Sequence, residues 1–250
     1  MKTKRCIFLL IEFMLYSIFM YIDISQKKMY SLSSYLKFCS ILICGIYTCL
    51  LVFHKKNASK FITISFIFLM ISDYFLLIAD RYDIGVGTFI IVQLCYLVYL
   101  KGKQSIFVLL QNFLVTAVIL AIFTFFGFEV DALFFCACIY FILFTRNVFE
   151  IMKRKKTTRQ EHYFCIGLLF YFLCDINVAI FNMEDYIVMS GRIFYSIYAF
   201  ACIAMWLFYL PGIVLITLSN EKWNSFYVEQ EQFSKSTESF CAHKVEYKYD

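Results

Sequence analysis

Apolar residues run along this chain in long blocks, and each block is about as long as a bilayer is thick. Eight blocks cover residues 6–22, 34–53, 61–80, 84–100, 106–126, 132–152, 162–183 and 191–218. At 1.5 Å rise per residue, about 20 apolar residues cross a hydrocarbon layer of ~30 Å. A spanning segment must also satisfy its own backbone hydrogen bonds, so each block predicts one transmembrane helix. Short loops join the blocks. The pattern therefore predicts an all-α polytopic bundle over residues 1–218, followed by a polar tail over 219–250. The first block follows Met-Lys-Thr-Lys-Arg as a signal peptide would. No small-residue cleavage site comes after it, so it is expected to stay as the first span.

Composition agrees with this reading. The 250 residues are 62% hydrophobic and 21% aromatic, with one proline and a mean hydropathy of +0.74, against about 45–50% apolar in soluble domains. Charge sets the threading. Lys2, Lys4, Arg5, Lys55, Lys56, Lys60, Lys101, Lys103, Arg146, Lys153, Arg154, Lys155, Lys156 and Arg159 fall on one side of the alternating loops. Lys27, Lys28, Lys37, Arg81 and Arg192 fall on the other. The richer side is retained in the cytoplasm, so both termini are expected there, in a multi-pass protein of the cell membrane. The net charge of +5 reads as topology, and no nucleic-acid partner is expected.

Metal chemistry finds little support. Of the eleven cysteines, Cys39, Cys44, Cys49, Cys95, Cys136, Cys138, Cys165, Cys174 and Cys202 lie well inside spans, and their spacings match no disulfide framework or zinc motif. Small, weakly polar side chains packing between helices account for them. His54, His162 and His243 are the only histidines, and all sit in loops, at a span edge or in the tail. No metal and no cofactor is expected.

The candidate chemistry lies in two aspartates, Asp73 in the third span and Asp175 in the seventh. A carboxylate at that depth costs about 2.5–3.5 kcal/mol on insertion scales, and one that is kept there normally faces the bundle interior with a task. Asp73 is seven residues from Asp80, and Asp175 nine from Glu184, where their spans leave on the outer side. They should lie about 10 and 13 Å deep, and Gln93, nine residues into the fourth span, at about 13 Å. A shared level predicts a shared site, with Ser72, Gln93, Tyr96, Asn177 and Tyr209 as positioning partners. Paired carboxyls suit acid-catalysed cleavage through a cationic transition state, one as donor and one as anion. The same pair suits proton-coupled transport, or plain helix–helix packing through hydrogen bonds. Residue types leave those alternatives open. Glu12, nearer the cytoplasmic end of the first span, is expected to join helices locally. Pro211 and Gly212 are expected to kink the last span.

At these positions the chain resembles the YhhN family of membrane proteins, which includes lysoplasmalogenases. The resemblance rests on Ser72-Asp73, then Gly87, Phe89, Gln93 and Tyr96 at the family's spacing, then Gly167 with Cys174-Asp175 eight residues on. The last span adds Tyr209-Leu210-Pro211-Gly212-Ile213-Val214-Leu215-Ile216. It departs from the family pattern at Gln93, usually histidine, and at Ile213, usually polar. The resemblance implies an eight-span hydrolase of ether bonds. It would cleave the vinyl-ether bond of a lysophospholipid substrate, a lysoplasmalogen, to a fatty aldehyde and a glycerophospho-headgroup, with Asp73 and Asp175 as the acid/base pair. Glutamine cannot exchange a proton near neutral pH, so the alternative is a transporter or lipid-binding protein on the same scaffold.

Overall fold

Among the described residues, eight α-helices form where the apolar blocks predict them. The computed structural model describes residues 2–25, 29–54, 58–127, 130–154, 158–182 and 192–221, so the tail from residue 222 and the loop holding Glu184 lie outside the described residues. The helices are α1 (Lys2–Ile24), α2 (Tyr30–His54), α3 (Lys60–Leu77), α4 (Tyr82–Lys101), α5 (Ser105–Phe125), α6 (Ala132–Lys153), α7 (Arg159–Asn182) and α8 (Arg192–Ser219). Local chemistry marks several ends. Ser59 accepts from the Ile62 N–H at the start of α3, and Asp131 accepts from the Phe134 N–H at 2.6 Å at the start of α6, satisfying amide donors that a first turn leaves free.

Among the described residues, seven stretches have the length and hydropathy to cross a membrane, and the longest, Tyr82–Phe125, has 44 residues. Unbroken, it would reach about 66 Å, twice the hydrocarbon thickness. It is broken at Gly102, whose φ of +57° suits a residue without Cβ. Leu97 before the break and Val108 after it share one cluster with Leu143 of α6. Eleven residues of continuous helix would hold them about 16 Å apart, so α4 and α5 fold back as two separate crossings.

Contacts along the helices give their directions. Asn147 of α6 meets Gln93 of α4, and Arg154 meets the Leu100 carbonyl seven residues on along both helices, so α4 and α6 run parallel. Tyr209 meets Asp73 while Asn220 meets Thr63 and the Ser59 N–H, so α8 runs antiparallel to α3. Arg5 lies 3.6 Å from Glu221, which puts the start of α1 and the end of α8 on one face. That face also carries Lys60, Lys101, Lys153 and Arg159 at helix ends and is called the basic face below.

Polarity is inverted relative to a soluble protein. Glu12, Ser40, Ser65, Ser72, Asp73, Gln93 and Asn147 are buried, while Ile106, Phe107, Leu110 and Leu114 on α5 are exposed. Such an arrangement is stable when the surrounding medium is apolar. Phe66, Leu69, Val92, Phe144, Phe164, Leu168 and Ile213 centre the main core. The closest helix contact is between α7 and α8. A Cβ added to Gly167 would stand 2.8 Å from the Gly212 carbonyl oxygen, and one added to Gly212 would stand 2.9 Å from that of Gly167. Facing glycines let two backbones touch where apolar burial supplies no drive between helices. Helix α8 continues through Pro211. Proline leaves the carbonyl four residues back without its helical donor, and the Tyr16 hydroxyl of α1 donates to that Leu207 oxygen at 3.4 Å.

Candidate functional site

Four helices bring the two aspartates into one neighbourhood. Asp73, four residues before the end of α3, is buried and accepts a hydrogen bond from the Tyr209 hydroxyl of α8 at 2.5 Å. Asp175 on α7 is partly exposed and accepts from the Tyr140 hydroxyl of α6. The carboxyls lie within range of each other's charge, and Cys174 sits within range of both. Two spans far apart in sequence thus contribute to one polar centre.

Tyr171 links the two halves. It lies one turn before Asp175 on the same face of α7, because residues four apart stack along a helix. Its ring packs edge-on to Tyr209 at 5.4 Å and to Phe144 at 4.9 Å, and it faces Tyr140. Its own hydroxyl is buried and has the Tyr140 hydroxyl as its neighbour. Buried polar atoms are nearly always paired, because an unpaired one carries its full desolvation cost. The hydroxyls of Tyr140, Tyr171 and Tyr209 could share an oxygen of water or substrate set among them. Phe89, at 5.7 Å from Tyr140 and 6.2 Å from Tyr171, and Trp206, at 5.4 Å from Tyr209, wall the centre with aromatic surface.

The bonds to the carboxyls come from neutral tyrosines. Ion pairs among the described residues lie toward the two membrane faces: Arg5–Glu221, Lys101–Glu150 and Arg146–Glu150 on the basic face, Lys37–Asp23 and Arg81–Asp83 on the opposite face. A carboxyl held by a hydroxyl in an apolar wall can give or take a proton without breaking a salt bridge. That is the behaviour expected of an acid/base group. Among the described residues, no three His, Cys, Asp or Glu side chains gather as a metal site.

The other sequence candidates are placed differently. Ser72 donates to the Gly85 carbonyl at 2.6 Å and ties α3 to α4. That bond sets the register of the hairpin and corrects the depth counted for Gln93. Ser72, beside Asp73, is level with Gly85, and Gln93 lies eight residues further along α4, about 12 Å deeper. Counting from span ends misjudged this because α3 ends at Leu77, three residues before Asp80. Gln93 accepts from Asn147 at 3.0 Å through its side chain and at 2.9 Å through its backbone. Tyr96 is buried at the same deep layer, where it faces Ser65 and packs edge-on to Phe164 at 5.4 Å. Asn177 donates to the Leu173 carbonyl at 2.7 Å. It stands two residues from Asp175, about 200° around the helix, and so on the other face. Of the five positioning residues expected, the structure brings Tyr209 to the aspartates.

Glu12 joins helices locally, as its place in the first span suggests. It accepts from Ser40 and, at 3.4 Å, from the Cys44 thiol. Sequence reasoning missed Tyr140, Tyr171 and Asn147. Tyr171 carried a signal in its four-residue spacing from Asp175. Tyr140 and Asn147 carried none, because their partners lie 35 and 54 residues away.

The YhhN family model matches residues 32–220, from α2 to the end of α8. No curated protein and no solved structure matches the chain.

Proposed function

The chain belongs to the YhhN family, and we propose that it is an integral-membrane lipid hydrolase of the cell membrane that cleaves the vinyl-ether bond of lysoplasmalogens. The carrying observation is the pair Asp73 and Asp175, each bonded to a tyrosine hydroxyl and joined across Tyr171. Depth supports the substrate class. Asp73 is four residues, about 6 Å, inside the end of α3. A lysophospholipid lying with its headgroup at that face carries its vinyl-ether bond just beneath the headgroup, at the same level.

The reaction needs a proton donor, an anion and one water. One carboxylic acid protonates the vinyl carbon remote from oxygen, using the electron pair of the double bond. The ether oxygen then shares the positive charge as an oxocarbenium ion, opposite the second carboxylate. Water adds to the charged carbon and gives its proton to that carboxylate. The resulting hemiacetal collapses with its hydroxyl proton passing to the departing glycerol oxygen, which releases a fatty aldehyde and the glycerophospho-headgroup. Each carboxyl returns to its starting state through one proton exchange with the other or with water. In this reaction the Tyr171 hydroxyl holds the water or the ether oxygen, and Tyr140 and Tyr209 hold the carboxyls.

Gln93 in place of the family's histidine bears on the transport or lipid-binding alternative. It lies a layer deeper, engaged with Asn147, so an acid/base pair at Asp73 and Asp175 works without it. The test is aldehyde release from a lysoplasmenyl-ethanolamine by purified protein in detergent. Asp73→Asn and Asp175→Asn should each lower turnover about 100-fold or more while melting within a few degrees of wild type. Full turnover in both variants overturns the reading. Proton-linked uptake into sealed vesicles by a wild type that releases no aldehyde would support transport instead.

A further inference from the structure

Lys37 counts in sequence as an outer-side topology charge, yet in the structure it is buried. Its ammonium pairs with Asp23 of α1 at 2.8 Å and lies 4.3 Å above the Trp206 ring and 5.8 Å from Phe19. Asp23 also accepts from Ser33 at 2.6 Å. A lysine needed only for orientation would snorkel to the interface and stay hydrated. This one is folded inward over an indole that packs edge-on to Tyr209 at 5.4 Å, and Tyr209 holds Asp73. Asp23, Lys37, Trp206, Tyr209 and Asp73 therefore form one chain of contacts that ends at the carboxyl pair. Trp206 is one turn of α8 nearer the face opposite the basic face than Tyr209.

We propose that Asp23 and Lys37 form the headgroup site of the reaction, with Lys37 taking the phosphate and Asp23 the ammonium of a zwitterionic lysophospholipid. The inference rests on the hydrolase reading for its reaction, but the binding it describes is separable. An ammonium has three donors, and one pairs with Asp23, which leaves donors for a phosphate oxygen. The side chains of Lys37 and Asp23 keep 10% and 19% of their surface exposed, so the pair is reachable from the face where a headgroup would lie. Opposite charges side by side match a zwitterion and disfavour a neutral glycerol. Asp23 lies outside the stretch that the family model covers, and Lys37 lies inside it.

Two measurements separate the inference from the reading beneath it. The first is direct binding of two non-hydrolysable probes, a saturated-ether lysophosphoethanolamine and its alkylglycerol counterpart. Trp206 fluorescence reports occupancy in a Trp223→Phe background, where it is the one remaining tryptophan. Removing a charge-assisted hydrogen bond to phosphate should weaken binding about tenfold or more. Lys37→Met is therefore expected to lose that much affinity for the phospho probe while alkylglycerol binding stays unchanged. Because Lys37→Met leaves the Asp23 carboxylate without its ion-pair partner, the double variant Asp23→Asn/Lys37→Met is run beside it. Neutralising both partners together removes the orphan charge, and the same selective loss is expected. Equal weakening for both probes, or no change for either, would overturn the headgroup assignment whatever the turnover result. The second measurement is aldehyde release. The same variants should raise KM for the vinyl-ether phospholipid with kcat little changed. A wild type that binds the phospho probe selectively but releases no aldehyde would retain the headgroup site and remove the hydrolase.

Discussion

Replacing Gly167 by alanine puts a single methyl group into the closest contact of the bundle. The new Cβ would sit 2.8 Å from the Gly212 carbonyl oxygen and 2.9 Å from the Ile216 nitrogen, both backbone atoms, where ordinary van der Waals contact begins at 3.4 Å. Helices α7 and α8 must then separate by about 0.6 Å, because a backbone atom cannot rotate away as a side chain can. Overpacking of this kind costs about 1–3 kcal/mol. At the scale of a 150–250-residue protein that is a fall in melting temperature of about 2–12 °C. Function should suffer beyond stability. Gly167 is one turn from Tyr171, and its contact Gly212 is three residues from Tyr209, so the same separation moves the two tyrosines that join the aspartates. Misplacement of reacting groups by about 1 Å can cost 100-fold in rate, so a tenfold or larger loss of turnover is expected below the melting temperature. Thermal unfolding in detergent and aldehyde release on the same preparation read both effects. Gly87→Ala is the control, since a Cβ there meets nothing within 4 Å. In a helix interior it should be neutral or stabilising by up to about 1 kcal/mol. If Gly167→Ala melts with wild type, or if Gly87→Ala is the more damaging change, the argument from backbone contact is wrong.

The buried hydroxyl of Tyr171 separates stability from rate. Tyr171→Phe should cost at most about 1 kcal/mol, the net worth of one neutral hydrogen bond, while kcat falls tenfold or more. A variant that loses stability and keeps its rate would show that the hydroxyl serves packing alone. Asn147→Ala should destabilise by about 1–3 kcal/mol, since it strips Gln93 of its partner, with KM for substrate unchanged when stability is held by assay temperature. Tyr16→Phe should cost up to about 1 kcal/mol in the wild type and less in a Pro211→Ala background, where the new alanine's backbone N–H recovers the Leu207 carbonyl. A double-mutant cycle by thermal unfolding reads that coupling, and additivity would refute the capping role given to Tyr16. Glu150→Gln, at an ion pair near the membrane face, should shift stability by less than about 1 kcal/mol and by less still at high salt.

The number and placing of helices was legible in the chain itself, because a bilayer judges each segment on its own. Twenty apolar residues are long enough to cross whatever their neighbours do, so blocks such as 61–80 and 162–183 could be read directly. Asp73 and Asp175 were legible as candidates for the same reason, since a carboxylate inside such a block is costly wherever the helix packs. Which groups they meet was a tertiary decision. Asp73 finds Tyr209 across 136 residues and Asp175 finds Tyr140 across 35, and nothing local to either aspartate selects those tyrosines. Depth counted from span ends brought Gln93 to the aspartate level, but the Ser72–Gly85 bond set the α3–α4 register and left it about 12 Å deeper. Lys37 looked like a topology charge until the fold laid it over Trp206. Segment length and hydropathy are properties of one helix against lipid. Rotation, register and the meeting of side chains are properties of helix pairs, and facing glycines, buried hydroxyls and packed rings determine them only once the bundle has closed.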